Sequence, residues 1–215
     1  MKTLRVPLLL FALPALVIAF APPRLPLLLL ERRGLFAGEI WRLWTGHWVH
    51  FSLPHLTWNL AALVAAGAWL ERARPGWLLR HTLVAAPLLS LALILLEPAM
   101  HAYGGLSGLA TSVVTLLALE QAHARRADRP LWIALLLLVA GKILAEAGQD
   151  TTFFTGFASP AVRPARWAHA AGALLGLGLW PWWRRLDRDG VAPGLEMTPP
   201  GPVTDSRRQG SGNYP

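Results

Sequence analysis

No cysteine occurs among the 215 residues. That absence excludes a disulfide framework, a thiolate nucleophile and any metal site built on sulfur. Charge is scarce, at 15% of residues against 54% hydrophobic, and the mean hydropathy of +0.41 excludes an ordinary soluble domain. The alternating runs that build membrane barrels are missing, and so is any internal repeat. What charge there is leans positive, with a formal net of +8. The basic residues are dispersed at the ends of apolar stretches, which argues for membrane orientation and against nucleic-acid binding.

Six apolar segments are present: Val6–Ala21, Pro54–Leu70, Trp77–Leu96, Leu106–Leu119, Leu131–Ala147 and Trp167–Trp183. Each is near the roughly 17–25 residues a spanning helix needs, so the expectation is an all-α membrane protein. With the N-terminus inside, Lys2, Arg5, Arg72, Arg74, Arg80, Arg125, Arg126, Arg129, Arg184, Arg185 and Arg188 fall on the inner side. Arg24, Arg32, Arg33, Arg42, Arg163 and Arg166 fall outside. The excess places both termini inside. Residues 1–22 have a rival reading as a signal peptide, with Lys2 and Arg5 before the apolar run and Ala19-Phe20-Ala21 after it. Pro22 is a poor residue after such a cut, which favours a retained helix. Residues 23–189 then form the main membrane domain. Its first loop carries Leu25–Leu30, too short to span, and Trp41, Trp44 and Trp48, expected at headgroup level. Residues 190–215, rich in Pro, Gly, Ser and Thr, read as a disordered cytoplasmic tail.

Chemistry concentrates at one depth. Ser107 lies in Gly105-Leu106-Ser107-Gly108 at the start of segment four, and His169 in Ala168-His169-Ala170-Ala171-Gly172 at the start of segment six. His55 and Asn59, spaced i, i+4 on one helix face, open segment two. All three segments enter from the outside, so these residues share an outer layer. Polar side chains at membrane depth are costly and mark function. Serine needs a base to become a nucleophile, and histidine both accepts that proton and returns it to a leaving amine. No acidic residue is close to His169 along the chain, which points to a Ser–His dyad. The Ser107 backbone N–H, the Asn59 amide and the His55 ring are candidate oxyanion donors. Gly105 and Gly108 allow backbone to approach the serine, and Gly172 and Gly176 make a small-xxx-small packing face. Each motif has a bland reading alone, as a turn, a core histidine or helix glue. Their coincidence at one depth is what argues for a site.

These residues resemble the rhomboid family of intramembrane serine proteases. The likeness runs from Trp41-Arg42 through His50-Phe51-Ser52-Leu53-Pro54-His55-Leu56-Thr57-Trp58-Asn59, Glu71 and the Gly105–Gly108 tetrapeptide to Ala168-His169 with Gly172 and Gly176. It implies a six-transmembrane-helix bundle with a water-filled cavity opening outward. Ser107 is then the nucleophile and His169 the base, with His55, Asn59 and the Gly105-Leu106-Ser107 backbone forming the oxyanion hole. Single-pass membrane proteins are the implied substrates, cut near the outer boundary. The implied location is the bacterial inner membrane, with the site facing the periplasm. The compact chain, Thr45-Gly46-His47-Trp48-Val49-His50, and Lys142 with Glu146 are similar to the rhombosortase subgroup, which implies substrates with a C-terminal Gly-Gly-containing sorting helix. One departure is Thr111, which stands where many family members carry an aromatic residue that stacks on the catalytic histidine. Lys142 and Glu146, at i, i+4, read foremost as a packing ion pair and secondarily as a recognition element. His47, His50 and His101 show no closed zinc spacing, and neither a cofactor nor nucleic acid is expected. The main alternative is a rhomboid-like protein that binds membrane clients without cutting them; the pairing of Ser107 with His169 argues against it.

Overall fold

The structure, a computed structural model, describes residues 2–20, 25–146, 165 and 167–190. Pro22, Arg24, Arg163, Arg166 and the expected tail at 191–215 lie outside the described residues. Helix α1 (Lys2–Pro7) continues through a π-helical turn (Leu8–Ala12) into α2 (Leu13–Ala19). The first long loop follows as three short helices, α3 (Leu25–Leu28), α4 (Arg32–Phe36) and α5 (Arg42–Thr45), and a 3-10 turn at Gly46–Trp48. The long helices are α6 (Leu53–Ala73), α7 (Trp77–Leu96), α8 (Ser107–Ala124), α9 (Arg129–Glu146) and α10 (Ala168–Gly190). Helix α10 therefore extends through Gly190, where the composition reading starts the tail.

Local chemistry sets several of these boundaries. Ser52 caps α6 by accepting the His55 backbone N–H at 3.3 Å, with Pro54 in the first turn, where its missing N–H costs nothing. Between α6 and α7 the chain reverses through Gly76 at φ 81°, a left-handed position suited to glycine. The Glu71 carboxylate accepts the Gly76 and Leu78 N–H groups at 3.0 and 2.9 Å, which satisfies orphan donors at the start of α7.

By length and apolarity alone, one described helix qualifies to cross a membrane, Trp77–Leu96; Leu4–Ala19 is apolar but shorter. The long helices, this one included, carry polar side chains that are buried inside the bundle. Glu120 is 1% exposed, and His81, Ser90 and Ser112 are wholly buried. Leu131, Leu137, Leu138 and Leu144 on α9, and Leu174 on α10, face outward. A water-soluble fold arranges its residues the other way round.

The first long loop is a packed cap on the bundle. Two residues, Leu30–Glu31 (β1), pair antiparallel with Ala102–Tyr103 (β2), joining the loop before α5 to the loop before α8. The Arg42 guanidinium is buried and donates to the Pro26 and Leu29 carbonyls at 2.7 and 2.6 Å and to Glu39. Prolines fix where the cap docks. Pro87 has no N–H to give Leu83 O, and the Trp44 indole donates to that carbonyl at 3.2 Å. Pro14 likewise cannot donate to Leu10 O, which receives the Trp48 indole at 2.8 Å. Trp48 also stacks on Phe11, so it is held within the cap against the first helix. His47 is fully buried and donates through Nε2 to Ala86 O at 2.9 Å; burial pushes it down to about 4, so it is neutral at physiological pH.

Candidate active site

Ser107 is the first residue of α8 and His169 the second of α10. The two helices meet there through a backbone contact between small residues. A Cβ placed on Gly172 would stand 2.1 Å from Gly108 O, and one on Gly108 would stand 2.9 Å from Ala168 O. Further along the same seam, a Cβ on Gly176 would meet Ser112 O at 2.6 Å. Only glycine permits this approach. Gly108 follows Ser107 and Ala168 precedes His169, so both side chains start from the tightest point of the helix pair.

The loop leading to Ser107 is equally constrained. Gly105 has φ 139°, and a Cβ there would stand 2.8 Å from the His55 ring. Its carbonyl accepts the Tyr103 hydroxyl at 2.7 Å, and its N–H donates to Gly46 O at 3.3 Å. The same Tyr103 hydroxyl also bonds the Ser107 side chain, and its burial pushes the phenol's pKa up, so it acts as a neutral donor. Leu106 is buried and precedes the helix. Thr111 spends its hydroxyl on Ser107 O at 2.9 Å, inside α8.

His55 and Asn59 face this loop from α6, both nearly buried. His55 lies on the side of α6 that faces His169. Asn59 Nδ2 donates to His50 Nε2 at 3.2 Å, leaving its second amide hydrogen for another acceptor. His50 is the residue the motif reading missed. Its Nδ1 donates to Trp48 O at 3.0 Å, so its Nε2 must accept, from Asn59 and, at 3.4 Å, from the Leu106 N–H. Burial first, then the neighbouring His55, pushes His50 down to about 4, which keeps that acceptor unprotonated near neutral pH. A histidine nine residues before an asparagine is a weak pattern, and only the fold of the cap turns it toward α6.

His169 is partnered from α9. Its Nδ1 lies 2.8 Å from Glu146 Oε2, the oxygen that also pairs with Lys142 Nζ at 2.6 Å. Lys142 Nζ is itself 3.2 Å from His169 Nδ1. The Lys142–Glu146 pair read from the spacing is thus present, but it is not only a packing pair within one helix. The acid missing from the sequence around His169 arrives from another helix.

Residues 37–184, well over half of the chain, match the rhomboid domain. The chain belongs to the rhomboid family. Rhomboids are integral membrane proteins, in general intramembrane serine proteases that act on membrane-protein substrates within the bilayer. A search among curated proteins finds no match. The matched rhomboid domain takes in every candidate site residue and begins after α4, so α1 to α4 lie outside it.

A serine–histidine hydrogen bond lies deeper in the same rhomboid domain. His81 Nε2 is 2.8 Å from Ser112 Oγ, and Trp183 Nε1 donates to His81 Nδ1 at 3.2 Å. With Nδ1 accepting, Nε2 carries the proton and donates to the serine. This histidine cannot take the Ser112 proton, and both side chains are sealed from solvent. At the opposite end of α8, Glu120 accepts from Arg74, Trp180 and Arg184 at 2.7 to 3.2 Å. A cavity of about 630 Å³ beside it is lined by Trp69, Arg72, Arg74 and Gln121 among others. Thirteen helical residues separate Glu120 from Ser107, roughly 20 Å, so this cavity serves neither Ser107 nor His169.

Proposed function

We propose that this rhomboid is an active intramembrane endopeptidase, crossing the membrane six times and cutting single-pass proteins near their outer boundary. The observation that supports the reading is the close backbone approach of Gly108 to Ala168 and Gly172, next in sequence to Ser107 and His169 at one end of the bundle. Outward leucines and inward polar groups support the membrane arrangement. Helices of 18 to 23 residues suffice for a hydrocarbon layer roughly 30 Å thick. The first span is the α1–α2 segment, whose Phe11 and Ala15 are buried.

In the reaction, Ser107 Oγ bonds to the scissile carbonyl carbon while its proton passes to His169. The carbonyl electron pair moves onto oxygen, where the Ser107 N–H, Asn59 and His55 are placed to stabilise it. Collapse of that intermediate breaks the C–N bond, and the amine leaves with the proton from His169. Water then repeats the sequence on the acyl-enzyme. The site faces outward, into the periplasm of a bacterial inner membrane. The finer reading is a rhombosortase-like specificity for helices that begin with Gly-Gly, supported by the Thr45–His50 stretch and the Lys142–Glu146 pair.

The test is co-expression with a tagged single-pass substrate whose helix begins with Gly-Gly, beside a generic helix bearing a small-residue site. Wild-type protein releases product; Ser107→Ala and His169→Ala release none at equal expression. Asn59→Ala retains measurable cleavage, reduced by roughly 10²–10³. Cleavage of the generic helix alone keeps the protease and discards the Gly-Gly specificity. Undiminished release by Ser107→Ala overturns the mechanism, and silence toward both substrates favours a client-binding role.

A further inference from the structure

His81 and His169 are each held by a partner at Nδ1, and those partners differ in kind. An indole N–H faces His81 Nδ1, whereas a carboxylate oxygen faces His169 Nδ1. The Lys142 ammonium also lies 3.2 Å from Nδ1, but it is nearer to Oε2, at 2.6 Å, and the carboxylate, which only accepts, is the closer neighbour of the ring at 2.8 Å, so His169 Nδ1 carries the hydrogen and donates it to Glu146. The other tautomer would set two acceptors, Nδ1 and Oε2, against each other at 2.8 Å. Lys142 donates to the same Oε2 at 2.6 Å and so holds the carboxylate charged and in place, although Glu146 is only 8% exposed. The α8 side offers no substitute, since the Thr111 hydroxyl is committed to Ser107 O.

We propose that Glu146 is a positioning residue for His169, so that the site works as a Ser107–His169–Glu146 triad assembled from three helices, with Lys142 as the carboxylate's anchor. The role rests on the protease reading above. Glu146 fixes the tautomer in which Nε2 takes the proton from Ser107 Oγ. It also supplies the counter-charge while the imidazolium exists, and the proton stays on the ring throughout. Thr111 then no longer leaves His169 unsupported: the support comes across from α9, outside the helix that carries the serine.

The experiment avoids the need for a known substrate. Full-length protein in detergent micelles is treated with a fluorophosphonate, which labels an activated serine, and the labelling rate is compared among variants. Wild type labels, and Ser107→Ala and His169→Ala do not. Glu146→Gln labels about 10²-fold more slowly or worse, with thermal stability close to wild type, and Glu146→Asp recovers part of the rate. The Lys142→Met/Glu146→Gln double variant, which leaves no unpaired charge, stays slow. In the proton spectrum, the downfield Nδ1–H resonance assigned through His169→Ala disappears in Glu146→Gln. Wild-type labelling matched by Glu146→Gln overturns the triad and leaves the protease standing. Recovery in the double variant also overturns it, because the defect is then the stranded lysine. Wild type that labels no faster than Ser107→Ala overturns the protease and the triad together.

Discussion

At the scale of single residues, the site depends on atoms that are not there. Gly172 lacks a Cβ that would stand 2.1 Å from Gly108 O, and the obstacle is backbone, which cannot rotate away. Gly172→Ala must push α10 off α8 and carry His169 with it. A shift of about 1 Å at reacting groups costs on the order of 10²-fold in rate, and overpacking costs about 1–3 kcal/mol. The expected result is a fluorophosphonate labelling rate at least about tenfold lower and a lower unfolding temperature in detergent. Gly178→Ala on the same helix and Gly141→Ala on α9 are the controls, since a Cβ at either meets nothing within 4 Å. Both should label like wild type; equal damage from all three would mean the seam has no special role. Ser107, His169 and the glycines were legible in the chain because small residues around a polar one are a sequence pattern. Glu146 was not legible as a partner, because 23 residues separate it from His169 and no periodicity links two helices across a loop.

Among the elements, the helices were legible and the cap was not. Apolar runs bounded by basic residues and glycine mark the starts of α6 to α10 to within two residues, but α8 and α10 run on past them to Ala124 and Gly190, where the sequence turns polar. The segment from α3 to the 3-10 turn has no such period. Its burial depends on side chains reaching carbonyls far along the chain: Arg42 to Pro26 and Leu29, Thr45 to Leu28, and two tryptophans to carbonyls that prolines release. The cap has a pH dependence of its own. His47 and His50 are both held down to about 4, against an ordinary value of 6.5. Between those values the unfolded chain binds protons that the folded cap does not. Stability is therefore full above about 6.5 and falls as pH drops toward about 4, each residue contributing a slope of at most about 1.4 kcal/mol per pH unit. Thermal unfolding in detergent should show a plateau from pH 7 upward and a decline below 6.5. The decline should be shallower in His50→Asn, which removes one of the two groups. An unfolding temperature that is flat from pH 7 to 4.5 would contradict neutral histidines in the cap.

For the molecule as a whole, the sense of burial is the main physical fact. Glu120, His81, Ser90 and Ser112 lie inside, the leucines of α9 lie outside, and a solvent poorer than water makes that arrangement stable. The composition announced this solvent, and the basic residues announced an orientation. The apolar criterion, applied helix by helix, recovers Trp77–Leu96 alone because the polar groups of the site and of the Glu120 cluster dilute the other helices. Orientation has a direct test, and the missing cysteines make the native chain its own blank. Single cysteines are introduced at exposed positions in three loops, Phe36→Cys, His101→Cys and Asp128→Cys, and intact cells are treated with a membrane-impermeant maleimide. Phe36 precedes α6 and His101 precedes α8, both at the end that carries Ser107, whereas Asp128 joins α8 to α9 at the other end. Phe36→Cys and His101→Cys should label in intact cells, and Asp128→Cys only after permeabilisation. The reverse pattern would turn the site toward the cytoplasm and with it the supply of substrates. Labelling of all three in intact cells would remove the bilayer between the two ends of α8, and an inside-out core would then have no solvent to explain it.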